Sequence, residues 1–251
     1  MIVVYKEEGW QVITQRAHGI LAAQLAMQWR TKDRPERWTE TVLAIAEHDD
    51  AEVELDGENL LTATGGPLNF DMKTFEREHC QKLSMLSQTK NRFIALLTSM
   101  HMEFLYGKEE KSNAEASAFL KEQRALQNRW RKELKMEKEE ALRIYDLLEW
   151  CDACSLLICQ SLQQPEKRKL EISTGPDKQL YRLAQLTKEK LTVEPWPFEA
   201  KTFTVSFEWR TLGQLQFRSS EEFRQAFLQA PVSETRWTLE KQKAIPKKKK
   251  V

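Results

Sequence analysis

The spacing of apolar residues divides the chain into a long helical stretch flanked by β-type segments. Residues 2–5 and 10–13 are rich in β-branched and aromatic side chains and flank a turn at 7–9, which predicts two short strands. From residue 15 onward, apolar residues recur every three or four positions, the spacing of an amphipathic helix. The helices predicted from this spacing cover residues 15–30, 38–48, 73–87, 91–106 and, with one break, 112–163.

The last quarter of the chain has a different pattern. Here apolar and polar residues alternate, which is typical of half-buried strands. The predicted strands are 191–193, 202–207, 215–217 and 236–239, with a short helix at 221–228. We expect the N-terminal strands to pair with this C-terminal group. The predicted fold class is therefore mainly α, a bundle of about six helices with a small antiparallel β element formed by the N- and C-terminal segments.

This pattern predicts three regions. Residues 1–165 form a helical domain that includes the N-terminal β-hairpin, and residues 166–245 form a small β-rich region packed against it. Residues 246–251 are a basic tail, which is more typical of a solubilising terminus than of a nucleic-acid site. Two roles stay open for the β element: it covers the bundle, or it pairs with a second copy in a homodimer.

Composition narrows the possible classes of protein. The 251 residues include 39 Lys and Arg against 38 Asp and Glu, so no strong basic field for nucleic acid is expected. No apolar run reaches the length of about 20 residues that a membrane helix needs, and the start lacks the pattern of a signal peptide. The four cysteines do not form a disulfide framework, and Cys151 and Cys154 lack a second ligand pair for zinc. We expect a soluble cytoplasmic protein with no nucleic-acid or membrane partner.

Histidine placement is the strongest chemical signal. Each of the four histidines lies in a different predicted helix and on its apolar face; they are His18, His48, His79 and His101. A single inward histidine is usually a core residue hydrogen-bonded to a carbonyl oxygen. That explanation is harder to apply to all four.

Carboxylates strengthen this signal. Asp49 and Asp50 directly follow His48, and Asp152 lies on the inward face of the last long helix. A buried carboxylate without a partner is costly, and a cation is the usual remedy. Imidazole nitrogens combined with carboxylate oxygens favour iron, manganese or zinc.

The order of these residues resembles that of a known family. His18, then His48-Asp49, His79, His101 and finally Asp152 resembles the signature of the HD superfamily of helical metalloenzymes, in its dinuclear branch. The resemblance covers residues 15–160 and implies an HD-type helical bundle. That branch includes cyclic-dinucleotide phosphodiesterases and mixed-valent diiron oxygenases. The whole chain also resembles an uncharacterised bacterial family that carries the Ala-Glu-His-Asp-Asp segment at 46–50, and that similarity implies no activity.

The resemblance implies specific roles for individual residues. Two divalent transition-metal ions are expected, with iron preferred and manganese or zinc as alternatives. The implied ligands of the first ion are His18, His48, Asp49 and Asp152, and those of the second are His79, His101 and the bridging Asp49. Asp49 and Asp50 are the candidate catalytic residues. The candidates for binding an anionic substrate are Arg16, Lys90, Arg92 and Tyr106.

Three functions are compatible with this ligand set. The first is a dinuclear metal-dependent phosphohydrolase in which a bridging hydroxide attacks a small phosphorylated substrate. The chain lacks the Gly-Tyr-Pro motif of the cyclic-dinucleotide phosphodiesterases, which argues against that substrate. The second is a mixed-valent diiron oxygenase that cleaves a C–C or C–P bond. The third is a non-catalytic scaffold stabilised by metal.

Overall fold

The computed structural model describes residues 1–49, 55 and 59–242 of the chain. The described helices are α1 (Gln15–Met27), α2 (Trp38–Ala46), α3 (Arg77–Lys90), α4 (Arg92–Tyr106), α5 (Ala114–Leu134), α6 (Lys138–Cys159) and α7 (Ser220–Gln229). The described strands are β1 (Ile2–Lys6), β2 (Gly9–Ile13), β3 (Lys169–Thr174), β4 (Leu180–Thr187), β5 (Lys190–Glu194), β6 (Thr202–Leu212) and β7 (Val232–Glu240). None of these helices combines the length and apolar character that crossing a membrane requires.

The seven strands form one sheet in the order β1-β2-β6-β7-β5-β4-β3. Neighbouring strands are antiparallel except β5 and β7, which run parallel with Leu191 opposite Leu239. Strand β2 pairs with β6, so that Val12 lies opposite Arg210. The predicted pairing of the two ends of the chain is therefore confirmed.

The predicted fold class, a mainly α bundle with a small β element, is wrong. The sheet is large and mixed and curls into a half-barrel, with 48% of the described residues in helices and 23% in strands, so the fold is α/β. The alternation in β3 and β4 is weak: β3 is an edge strand with no buried residue, and β4 buries the consecutive residues Leu183 and Ala184. The segment predicted as a strand at 215–217 is irregular, and its Phe217 packs against Phe223 of α7.

The helices agree with the apolar spacing in number and approximate extent. The break predicted within 112–163 falls between α5 and α6, where Lys135 ends α5 in the left-handed conformation at φ 53°. Helix α2 ends at Ala46, earlier than predicted, so His48 and Asp49 lie in the turn that follows it. The spacing predicted His48 at the end of a helix, but both candidate ligands of this segment lie in the turn after it.

Helices α1 and α2 approach each other very closely where Gly19 of α1 faces Ala46, the last residue of α2. A Cβ atom on Gly19 would come within 2.2 Å of the carbonyl oxygen of Ala46. Only a glycine allows this approach. The contact brings the first turn of α1, which carries His18, beside the end of α2, which leads into His48.

One main core joins the helices to the sheet. It includes Trp29 of α1, Trp150 of α6, Tyr181 of β4 and Val205 of β6, and all four are almost completely buried. Helix α6 also packs on β3. The predicted boundary at residue 165 thus falls between α6 and β3, within a region of continuous packing, and the tail at 246–251 lies outside the described residues.

Candidate metal centre

Five of the six predicted ligands come together from α1, α4, α6 and the turn after α2. His18 comes from the first turn of α1, which begins where the Thr14 side chain accepts a hydrogen bond from the Ala17 amide. His101 lies on α4 and Asp152 on α6, while His48 and Asp49 follow α2. Their potential ligand atoms form two groups within ion-binding distance of one another: His18, His48, Asp152 and His48, Asp49, His101.

The first group is buried and compact. His18 Nε2 lies 3.1 Å from Asp152 Oδ1 and 3.3 Å from His48 Nε2, and His48 Nε2 lies 3.4 Å from Asp152 Oδ1. Two ligands each about 2.1 Å from a tetrahedral ion lie about 3.4 Å apart. The three separations therefore match those of ligands that share one ion, and also those of hydrogen bonds made by a protonated histidine.

The tautomer of His18 is set by Ser155. Ser155 Oγ lies 2.9 Å from the carbonyl oxygen of Asp152 and 2.8 Å from His18 Nδ1. A carbonyl oxygen only accepts, so both hydrogen bonds form only if the hydroxyl donates to Asp152 and His18 Nδ1–H donates to Ser155. The Nε2 atom of a neutral His18 then carries a lone pair, which points at Asp152 and His48.

The tautomer of His48 is set in the same way by the backbone. His48 Nδ1 lies 2.7 Å from the carbonyl oxygen of Ile45, and it must be the donor there. Nε2 of a neutral His48 is again an acceptor. When both histidines are neutral, three acceptors therefore face one another in a buried space, and a metal ion is a group that all three can bind. A hydrogen bond from the far ring nitrogen is also what metal-bound histidines usually have.

The second group is arranged around the two oxygens of Asp49. Oδ2 lies 3.4 Å from His48 Nε2, and Oδ1 lies 3.6 Å from His101 Nε2. His101 Nδ1 lies 3.2 Å from the Tyr145 hydroxyl, whereas its buried Nε2 has no hydrogen-bond partner. Each carboxylate oxygen thus faces a different histidine, as expected for a bridging ligand. Gln15 also donates to Oδ2 over 2.9 Å, which fixes the carboxylate.

The charges of the cluster are strongly coupled. Burial opposes protonation of His48, but Asp49 and Asp152 outweigh it and raise the pKa of His48 to about 10. Burial favours the neutral form of both carboxyl groups, yet the neighbouring histidines hold the pKa of Asp49 and the pKa of Asp152 well below their usual range. The two carboxylates are thus anionic at neutral pH, and the positive charge beside them is a protonated His48 or a metal ion that takes the place of its proton.

A cavity of about 270 Å³ opens onto this cluster. Asp49, His101 and Asp152 line it, and so does His79, the remaining predicted ligand. His79 is half-buried and belongs to neither ligand group among the described residues. The structure therefore places His79 on the cavity wall rather than within the cluster.

The four candidate substrate-binding residues separate into two pairs. Arg16 and Tyr106 line the cavity. Lys90 and Arg92 do not line it; Lys90 Nζ lies 2.5 Å from Glu47 Oε2, and Arg92 Nε lies 2.8 Å from Glu133 Oε2. The candidate catalytic residue Asp50 lies outside the described residues.

Several residues of the site were not predicted from the sequence. Ser155 is hydrogen-bonded to His18, and Tyr145 to His101. Gln15 donates a hydrogen bond to Asp49, and Lys73 lines the cavity. Ser155 had a detectable signal, because it lies three residues after Asp152 and so shares its helix face. Lys73 precedes α3 in an irregular segment, where periodicity carries no information.

Comparison with known proteins identifies a family but no activity. A family model described as "Protein of unknown function (DUF3891)" matches residues 1–214. No curated protein and no solved structure matches the chain. Because the family match covers most of the sequence, the chain belongs to the DUF3891 family.

Proposed function

We propose that this protein is a metal-dependent phosphohydrolase of HD type that binds two divalent transition-metal ions and acts on a small phosphoester. One observation carries the proposal. His18 Nε2, His48 Nε2 and Asp152 Oδ1 meet as three acceptors separated by 3.1 to 3.4 Å, while the Nδ1 atom of each histidine is engaged elsewhere. When both histidines are neutral, a bound metal ion compensates this buried set.

The residues divide naturally between two ions. His18, His48 and Asp152 would hold the first, Asp49 would bridge, and His101 would hold the second, with His79 within the same cavity. The mixture of imidazole and carboxylate suits iron, manganese or zinc, and the resemblance to the HD superfamily puts iron first. When bound, two such ions activate water as a nucleophile and polarise phosphoryl oxygens.

The cavity lining supports a small anionic substrate. Arg16 and Lys73 supply positive charge at its wall, which the bound ions would have to supplement because Asp71 and Glu109 also line it. Apolar residues of the lining, Phe70, Leu105 and Leu156, exclude water. A volume of about 270 Å³ suits a phosphomonoester or a compact phosphodiester. We further propose a cytoplasmic location, which is supported by four cysteines that are all buried and unbridged.

Hydrolysis of two simple esters tests the proposal. The full chain is loaded with Fe²⁺, Mn²⁺ or Zn²⁺ and assayed on p-nitrophenyl phosphate and bis(p-nitrophenyl) phosphate, with and without O₂. We expect turnover that is indifferent to O₂ and that falls at least about 100-fold in Asp49→Asn. Asp146→Asn is the matched control, because Asp146 lies on α6 but pairs with Lys178.

The outcomes separate the alternatives. Equal rates in the wild type and Asp49→Asn would contradict the proposal. A reaction that requires O₂ would assign the diiron oxygenase chemistry that the same ligand set allows. Tightly bound metal without turnover on either ester would favour a structural role for the ions.

A further inference from the structure

A second cavity lies on the other side of His101, between α4, α5 and α6. Its volume is about 590 Å³, larger than that of the first cavity. Tyr145 lines it and accepts or donates the hydrogen bond at His101 Nδ1, whereas His101 Nε2 faces Asp49. Tyr145 therefore links the second cavity to His101, which lines the first.

The second cavity has an exposed apolar wall. Phe104 is 53% exposed and Leu142 is 39% exposed, although both are large apolar side chains. Met100 and Leu96 continue the wall toward the interior. Exposed apolar groups gathered in a concave surface are typical of ligand sites.

The same cavity carries uncompensated positive charge. Its carboxylate, Glu103, is held by Arg124 at 2.6 Å and by Gln127 at 3.1 Å. Arg131 donates a hydrogen bond to Asn128, but neither Arg131 nor Lys138 has a carboxylate within ion-pair distance among the described residues. These two cations are available to an anionic group beside the apolar wall.

Two aromatic side chains connect this cavity to the metal centre. Phe104 stacks on His101 with ring centroids 6.2 Å apart and planes at 22°, and Phe104 and Tyr145 lie 6.3 Å apart. A ligand on the cavity wall would contact both rings. Both rings also lie beside His101, and Tyr145 is hydrogen-bonded to it, so they form the route between the second cavity and His101.

We propose that the second cavity is a binding site for a small amphipathic anion, with an apolar body on Phe104 and Leu142 and an acidic group near Arg131 and Lys138, and that its occupancy alters His101 through Tyr145. The acidic group is a carboxylate, sulfonate or phosphate, since all three accept from these cations. The site itself stands independently of the proposed function, while the effect on His101 rests on it.

Fluorescence of 8-anilinonaphthalene-1-sulfonate tests the site in the full-length, metal-free protein. We expect saturable binding to one site, weakened about tenfold by the double change Arg131→Gln and Lys138→Gln. Arg129→Gln is the matched control, because Arg129 lies on α5 but pairs with Glu133 outside the cavity. Displacement by octanoate and by inorganic phosphate, measured separately, distinguishes a fatty carboxylate from a phosphate ligand.

Zinc affinity with and without the probe tests the connection to His101. We expect the probe to change the zinc Kd severalfold in the wild type and to have no effect in Tyr145→Phe, which retains the ring but loses the hydroxyl. Probe binding that is equally strong in the double variant would overturn the site. An unchanged zinc Kd would overturn the connection alone, and the absence of any zinc binding would contradict the metal proposal while leaving the probe test valid.

Discussion

Trp150 and Asp152 lie two residues apart on α6 and are buried on different faces, in different environments. Trp150 packs edge-on against Trp29 with centroids 5.0 Å apart, and against Tyr181 at 5.5 Å. Asp152 instead faces His18 and His48. Trp150 Nε1 is unpaired, but it is a neutral donor, which costs far less than an uncompensated carboxylate. The aromatic face is stabilised by apolar packing, whereas the polar face depends on positive charge beside Asp152, which we propose is supplied by a bound metal ion.

The largest expected effect falls on the aromatic face. Trp150→Ala removes a fully buried ring from the main core and should lower the free energy of unfolding by about 3–5 kcal/mol. Urea denaturation of the metal-free protein measures it. The metal content of the folded fraction should not change. A loss of metal binding in the folded fraction would show that the two faces are not independent.

On the polar face, Asp152→Asn should abolish stabilisation by metal. At a free metal concentration of about 100 times Kd, the wild type should gain about 2.7 kcal/mol, and the variant should gain almost nothing. Urea denaturation with and without Mn²⁺ or Zn²⁺ measures the gain. Asp146→Asn, on the same helix, should retain it. An equal gain in both variants would remove Asp152 from the ligand set.

A smaller effect is expected at Ser155, which contacts a ligand but does not bind metal itself. Ser155→Ala removes the acceptor for His18 Nδ1–H and should weaken metal affinity about tenfold, or about 1.4 kcal/mol. Competition with a chromophoric chelator measures the Kd. Ser99→Ala, a buried serine that contacts Gln127 instead, is the control. An unchanged Kd in Ser155→Ala would show that another contact sets the tautomer.

The smallest expected effect is on substrate binding, and it distinguishes a cation at the cavity wall from one on the exposed surface. Lys90→Gln breaks the Glu47 pair, which should cost at most about 1 kcal/mol of stability and leave KM unchanged. Arg16→Gln, at the cavity wall, should raise KM for the phosphoester. KM values of the two variants, measured in parallel, show whether the anion binds in the cavity or on the exposed surface. A higher KM in Lys90→Gln alone would move the anion site outside the cavity.

Helical spacing predicted which side chains converge better than alternation predicted the sheet. Helical spacing placed His18, His101 and Asp152 on buried faces, because side-chain direction follows directly from the 3.6-residue period. For His79 the spacing was less informative, since this side chain is only half-buried and lines the cavity instead of joining either ligand group. The edge strand β3 buries too little for alternation to reveal it.

Long-range contacts explain what the sequence could not supply. Gln15 reaches Asp49 across 34 positions, and Tyr145 reaches His101 across 44. Neither residue has a local pattern that indicates such a partner. Ser155 differs because it shares a helix turn with Asp152, so its position could be inferred once that carboxylate was recognised.

Metal stoichiometry tests the central claim most directly. The full chain is purified without a histidine tag, and its metal content is measured by inductively coupled plasma mass spectrometry, both as isolated and after incubation with Fe²⁺ or Mn²⁺. The proposed ligand set predicts about two transition-metal ions per chain, and a clear loss in Asp152→Asn. A wild-type content below about a tenth of an ion per chain, not restored by either metal, would contradict the claim. His18, His48 and His101 would then be core residues that share protons with Asp49 and Asp152.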